Sequence, residues 1–298
     1  MNTFELNNKT YNIKDLSILK NMKKIYLKLK PYPHIIIENC LDKEIYNHLD
    51  KTYPSDNLIF NNDNQNNTIM KSNTRYQINS NQALTLNEID NVWKLFIKYH
   101  CSSDFYQEII NAFGKELIEN FDNIQNKIKE KNKTMNELTI GIRNKDSSDI
   151  LLDCQVGINS KCENISTVKG PHIDNLNEIY GGLLYFKNKN DKGLGGNLEI
   201  YDTIKPYNTL KEFKKNNTLL KKKKIEEHNR TYSRTREFDK NTIKKINEVL
   251  YNKNTLVIFL NEINSIHGVS ARAPNNLSRR IVNIIGESYS KKNNNRIN

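Results

Sequence analysis

His172-Ile173-Asp174 sets an imidazole and a carboxylate two positions apart, and a third donor, His267, follows far downstream. Two imidazoles and one carboxylate suit Fe(II), and three protein ligands on one face leave positions open for a co-substrate and oxygen. On an extended strand residues two apart share a face, so His172 and Asp174 would aim at one ion. Arg279-Arg280 come soon after His267. An arginine's planar fork pairs with a carboxylate through two parallel bonds and does not titrate, which suits the far end of an oxo-acid. Of two adjacent arginines on a strand, only one points inward. The constellation describes an oxygen-activating enzyme. The other histidines, His34, His48, His100 and His228, have no carboxylate at comparable spacing and read as structural.

The surrounding segments add specificity. Gly170-Pro171 precede the first pair, and the apolar run Tyr180-Gly181-Gly182-Leu183-Leu184-Tyr185-Phe186 follows it. Next come Gly195-Gly196-Asn197-Leu198-Glu199-Ile200-Tyr201, then Thr255-Leu256-Val257-Ile258-Phe259-Leu260 leading to Ser265-Ile266-His267-Gly268-Val269. Ser278-Arg279-Arg280-Ile281-Val282-Asn283-Ile284-Ile285 closes the series. In this order the segments resemble the 2-oxoglutarate- and Fe(II)-dependent oxygenases, within them the prolyl-hydroxylase-like set found also in marine bacteria and phages. The resemblance covers residues 150–288, and Pro31–Asn39 looks like the entry strand of the same set.

That resemblance implies Fe(II) on His172, Asp174 and His267, with 2-oxoglutarate as co-substrate, O2 as oxidant and ascorbate as an auxiliary reductant. The family pattern, in which the binding arginine is followed two residues later by a small or apolar inward residue, favours Arg279 over Arg280 for the far carboxylate. Tyr185 matches a tyrosine that touches the same carboxylate, and Arg272 is a weaker candidate from a loop. The implied reaction hydroxylates an unactivated C–H bond of a peptidyl-proline, small-molecule or sugar substrate and releases succinate and CO2. Asp174 argues against a halogenase, which needs that coordination position vacant, and a cupin site usually carries more histidines.

These residues need a scaffold. The implied fold is mainly β with buttressing helices (α+β), around a double-stranded β-helix of the jelly-roll or cupin-like kind. Residues 1–30 are polar and receive no element. A single oxygenase domain is expected over 31–288, with helical support in 31–135 and the β core in 136–288. The spacing predicts a strand over 34–39, a helix from Asp42 to Tyr53 closed by Pro54, and a loop over 55–80 with substrate contacts near Arg75-Tyr76. Thr85-Leu86-Asn87-Glu88 has the form of a capping box ahead of an apolar stripe through Trp93, Phe96 and Tyr99. A second helix is expected from Ser103 to about Lys131. From Glu137 the apolar period becomes two, with strands over 138–142, 153–158, 180–187, 197–201, 255–260 and 280–286. A basic insertion, 205–247, carries Lys221-Lys222-Lys223-Lys224 and Arg230-Thr231-Tyr232-Ser233-Arg234-Thr235-Arg236, and the tail Lys291–Asn298 is expected to be disordered.

Composition sets wider bounds. The 298 residues suffice for one substantial core, and the net charge is +12, from 46 Lys+Arg against 34 Asp+Glu. Such an excess favours polyanions such as nucleic acid or acidic glycans, yet Lys- and Asn-rich usage also follows from an AT-rich genome and solvated surface. The alternatives are therefore an oxidative demethylase of nucleic acid and a non-catalytic basic binding protein on the same barrel. Sparse aromatics in the insertion (Phe213, Tyr232, Phe238) weaken a base-stacking platform. Cys40, Cys101, Cys154 and Cys162 form no Cys-x-x-Cys, and Met1-Asn2-Thr3-Phe4-Glu5 shows no signal peptide, so reduced thiols and a cytoplasmic setting are expected. No apolar run approaches the roughly 20 residues of a membrane span.

Overall fold

A computed structural model describes residues 3–63, 68–207, 212, 238 and 240–288. The polar N-terminal stretch, expected to hold no element, begins with a hairpin of β1 (Thr3–Leu6) and β2 (Lys9–Asn12). Asn7 and Asn8 turn it with positive φ at both positions, the backbone of a two-residue turn that asparagine tolerates. Phe4 and Leu6 alternate into the core, Tyr11 stacks on Phe4, and Leu16, Ile18 and Leu19 follow them inside. β3 (Leu27–Lys28) and β4 (His34–Glu38) come next.

The first helices are set by their caps. α1 (Lys43–Lys51) starts where the Asp42 carboxylate accepts from the amides of Glu44 and Ile45, and it ends before Pro54. The stretch 55–80, expected as a loop, instead holds α2 (Asp56–Asn61), capped by Ser55, and β5 (Arg75–Ile78). A reciprocal Asn79–Gln82 box then starts α3 (Ser80–Thr85). Thr85 therefore closes a helix, and the capping box expected at Thr85–Glu88 does not form. Asp90 caps the next helix, α4 (Asn91–His100). The single helix expected over Ser103–Lys131 is three: α5 (Ser103–Phe113), α6 (Lys115–Glu119) and α7 (Asp122–Lys131). Gly114, at φ 97°, breaks it first, and extended backbone at Phe121 breaks it again.

The β part comprises β6 (Ile140–Ile142), β7 (Ile150–Asn159), β8 (Glu178–Tyr185), β9 (Leu198–Thr203), β10 (Ile243–Val249), β11 (Thr255–Leu260), β12 (His267–Val269) and β13 (Arg279–Glu287). Eight strands form the larger sheet in the order β3-β4-β11-β8-β13-β7-β5, with β6 parallel to β7 off this path, while β10-β9-β12 form the smaller one. β10 lies inside the segment read as insertion. The Lys221–Lys224 run, Arg230–Arg236, Phe213, His228 and the tail Lys291–Asn298 lie outside the described residues.

Strand alternation divides the core in two. Leu184, Ile258, Val282 and Ile284 of the larger sheet face Trp93, Phe96 and Phe105 of the helices. Leu183, Tyr185, Val257, Phe259 and Ile281 face Leu198 and Ile200 of the smaller sheet. The larger sheet is thus covered on both sides, which is why β11 reads as an unbroken apolar run and every residue of it is buried. The indole Nε1 of Trp93 donates to Leu49 O at 3.1 Å, tying α4 to α1, and His48 pairs with the cap Asp90 at 3.0 Å. All four cysteines are buried and free.

His100 joins the N-terminal segment to this core. Its Nδ1 donates to Phe96 O at 2.8 Å, and its Nε2 accepts from the Ile18 amide at 3.3 Å. Burial pushes its pKa down to about 3, against a weaker upward pull from the Phe96 carbonyl. In the unfolded chain the same ring titrates near ~6.5. Between these values unfolding takes up a proton, so this contribution is complete above about pH 6.5 and fades as pH falls toward 3. In thermal melts from about pH 7 to about pH 4, His100→Phe should therefore show a shallower acid decline than wild type. Equal slopes would mean that the ring is not held neutral.

Candidate metal centre

Gly170–Asp174 is a loop that feeds β8, not the extended strand expected from the two-residue spacing. Its first donor is placed by backbone pairing: His172 N donates to His267 O at 2.8 Å, and His267 N donates to His172 O at 2.9 Å. This single antiparallel bridge brings the two rings to 4.3 Å between centroids. Gly268 sits beside it, where a Cβ would come within 3.2 Å of the Gly170 carbonyl carbon, so the close approach of the two backbones favours glycine. Ile173, between the donors, is fully buried with Ile266 and Ile243 and anchors the loop. Asp174 lies beyond it, and donor atoms of His172, Asp174 and His267 come within 4.8 Å of one another.

The second partner of each ring fixes its tautomer. His172 Nδ1 lies 2.7 Å from Gly170 O and His267 Nδ1 lies 3.1 Å from Ser265 O. A carbonyl only accepts, so both protons sit on Nδ1 and both Nε2 lone pairs are free for a ligand. The two Nε2 atoms face the Asp174 carboxylate, at 3.4 Å from Oδ1 and 3.3 Å from Oδ2. Burial, with the neighbouring His267 and Lys169, pushes the His172 ring down to about 3. Burial would raise the Asp174 carboxyl, but the neighbouring His267 and Lys169 hold it well below the usual carboxylate range. Neutral imidazoles and an ionised carboxylate are the forms that bind a divalent cation, and this donor set fits Fe(II).

Arg279 is fully buried deeper between the two sheets. Its Nη1 donates to Asn159 Oδ1 at 3.0 Å, and its guanidinium lies 4.9 Å from the Tyr185 ring and 5.0 Å from the Tyr251 ring. Its Nε and Nη2 have no hydrogen-bond acceptor among the described residues. Burial raises the Tyr185 hydroxyl, while the Arg279 and Arg75 charges pull it back. Arg280 points to the other face of the sheet, where Nε donates to Phe186 O at 3.0 Å and the guanidinium pairs with Asp50 and lies 5.0 Å from the Tyr53 ring. Arg272 is committed to backbone carbonyls, among them Ser160 O at 2.9 Å.

A cavity of about 230 Å³ opens at the triad. Arg75, Gln77, Arg143, Gln155, Glu178 and Asn283 form much of its polar lining. Of these only Arg75 stood out in the sequence. Tyr251 and Asn159, the neighbours of Arg279, carry no motif that would single them out. Glu178 is brought to the cavity by an irregularity: the register of β13 on β8 runs Gly286↔Tyr180 and then Glu287↔Glu178, skipping Ile179. Such a bulge re-aims a side chain against strict alternation.

No family model matches this sequence, and no curated protein does. Among solved structures, a prolyl 4-hydroxylase from Phytophthora capsici is 10% identical, with a TM-score of 0.44, covering 98% of this chain and 75% of that one. A prolyl-4-hydroxylase from Pseudomonas putida is 9% identical, with a TM-score of 0.43, covering 93% and 99%. A prolyl hydroxylase from Trichoplax adhaerens, in complex with a hypoxia inducible factor peptide fragment, is 15% identical, with a TM-score of 0.45, covering 92% and 91%.

The triad should bind one Fe(II) per chain in anaerobic titration followed by metal analysis. His267→Ala and Asp174→Ala should each weaken binding beyond the roughly 10- to 100-fold that loss of a supporting partner costs. Unchanged stoichiometry and affinity in both variants would remove the site.

Proposed function

We propose that this chain is an Fe(II)- and 2-oxoglutarate-dependent oxygenase that hydroxylates an unactivated C–H bond, and that its two facing sheets are a double-stranded β-helix. The observation that carries this reading is the pairing of a His172–Asp174–His267 donor set with a buried, incompletely bonded Arg279 between the same sheets. Among the described residues no helix is long and apolar enough to cross a membrane.

Each residue has a derivable task. Nε2 of His172 and of His267 and the Asp174 carboxylate would hold the metal, with the Gly170 and Ser265 carbonyls keeping the rings oriented. Bound there, Fe(II) supplies the oxygen-activating chemistry coupled to conversion of 2-oxoglutarate and O2 to succinate and CO2. Arg279 offers Nε and Nη2 to the far carboxylate of the oxo-acid, while Asn159 holds its Nη1. A buried donor left unmade costs about 1–3 kcal/mol, and more when charged, so this guanidinium favours an anionic guest. Tyr185 and Tyr251 flank the guanidinium and exclude water from the pair. Ascorbate would enter only as an external reductant.

Anaerobic calorimetry of 2-oxoglutarate binding to the Fe(II)-loaded protein separates the two adjacent arginines. Arg279→Ala should weaken binding by more than about thirtyfold, corresponding to the ~2–5 kcal/mol lost on truncating a buried charge pair. Arg280→Ala should lower the melting temperature through loss of the Asp50 pair and leave 2-oxoglutarate affinity near wild type. The reverse pattern, or no 2-oxoglutarate binding by the wild type, would overturn the assignment.

A further inference from the structure

Each histidine of the triad follows a peptide unit that is bonded at both of its polar ends. In the Ile266–His267 unit the carbonyl accepts from Tyr201 N at 3.0 Å and from the Tyr32 hydroxyl at 3.0 Å, while the amide donates to His172 O at 2.9 Å. Tyr201 belongs to β9, so the smaller sheet itself supplies that grip. In the Pro171–His172 unit the amide donates to His267 O at 2.8 Å, and the carbonyl accepts from Phe238 N at 2.8 Å. A peptide unit is planar, so fixing its carbonyl also fixes the direction of its N–H. Phe238 thus does for the His172 loop what a neighbouring strand does for His267.

The Phe238 side chain acts at the same place. His172, Asp174 and His267 line the cavity, whereas Ile173, between the first two, and Ile266, just before the third, are fully buried in a separate apolar cluster. Tyr201 and Ile243 of the smaller sheet form one part of that cluster, and Phe238, only 4% exposed, forms another. Tyr207 packs on Phe238 with 5.9 Å between ring centroids. Tyr207 is in turn fixed to the loop before His267: its amide donates to Asn264 Oδ1 at 3.1 Å, and Asn264 Nδ2 donates to its carbonyl at 3.0 Å. The sequence presents Phe238 as one of few aromatics in a basic insertion; the structure places its ring behind the ligand-bearing loops.

Metal affinity depends on how much order the ligands must gain when the ion binds. A loop that is already held does not lose that conformational freedom on binding, and the apolar shell of a site governs the access of water to it. We propose that Phe238 is a positioning residue for the metal centre: its amide and ring hold the Pro171–Asp174 backbone so that His172 and Asp174 meet His267 before the ion arrives. This rests on the reading of the triad as an Fe(II) site. Phe238 does not line the cavity and acts through Pro171 and the cluster around Ile173.

Anaerobic Fe(II) titration of the full chain tests this, with the visible bands of the Co(II)-loaded protein as a second reading, of ligand geometry. Phe238→Ala should weaken Fe(II) binding by about tenfold or more, the scale on which residues supporting metal ligands act, and should alter the Co(II) bands. Phe238→Leu, which keeps most of the apolar bulk, should weaken binding by less in the same direction. Phe105→Leu makes the same exchange in the core between the larger sheet and the helices. It should lower the melting temperature and leave Fe(II) affinity and the Co(II) bands as in wild type. Wild-type Fe(II) affinity in a folded Phe238→Ala would overturn the proposal, as would a loss in Phe105→Leu equal to that in Phe238→Leu. If Phe238→Ala does not fold, wild-type affinity in Phe238→Leu overturns it equally. No Fe(II) binding by the wild type would instead overturn the reading of the triad, on which the proposal depends.

Discussion

Two backbone hydrogen bonds between His172 and His267 are the constraint on which the candidate centre depends. They join a loop ahead of β8 to the first residue of β12, and so bring together donors that lie far apart in the chain. Each such bond nets only about 0.5–1.5 kcal/mol, too little to position a loop alone. The bridge holds because its surroundings over-determine it. Ile173 and Ile266 are fully buried on either side, β12 pairs with β9, and the Gly170–Pro171 backbone packs against Gly268. The loop therefore acts as part of the sheet although it is not a strand, and the donors inherit the sheet's rigidity.

The larger sheet also separates stability from chemistry. Its helical face is apolar and its remaining charges are satisfied, as where Arg280 binds Asp50 and the Phe186 carbonyl. Its other face keeps polar groups whose bonding is incomplete. Among the described residues, two of Arg279's donors, Nε and Nη2, have no acceptor. Burying such groups destabilises a fold unless something arrives to complete them. The opposite fates of two neighbouring arginines follow from nothing more than the two-residue period of a strand.

Legibility in the sequence followed the range of the interaction. The helix start at Asp42 and the strands expected over 153–158, 180–187 and 255–260 could be read because apolar period and helix punctuation are local. The N-terminal hairpin was hidden because Asn7-Asn8 looks like more of an Asn-rich background, although it makes a tight turn. The box at Thr85–Glu88 misled because Asn79 and Asp90 competed for the same backbone and made the better caps. Gly114 in a positive-φ conformation split a helix that its apolar stripe alone would have continued.

By itself the sequence determined which donors exist, their order, and that only one of Arg279 and Arg280 can face inward, because residue chemistry and strand period are properties of the chain. Tertiary structure decided the rest. It turned the His172–Asp174 pair from a presumed strand into a bridged loop, set Asn159, Tyr185 and Tyr251 around one guanidinium, and used a register slip at Ile179 to bring Glu178 to the cavity. Those arrangements arise from contacts between strands remote in sequence, where the register of one depends on the packing of its neighbours. No spacing within a single segment encodes them.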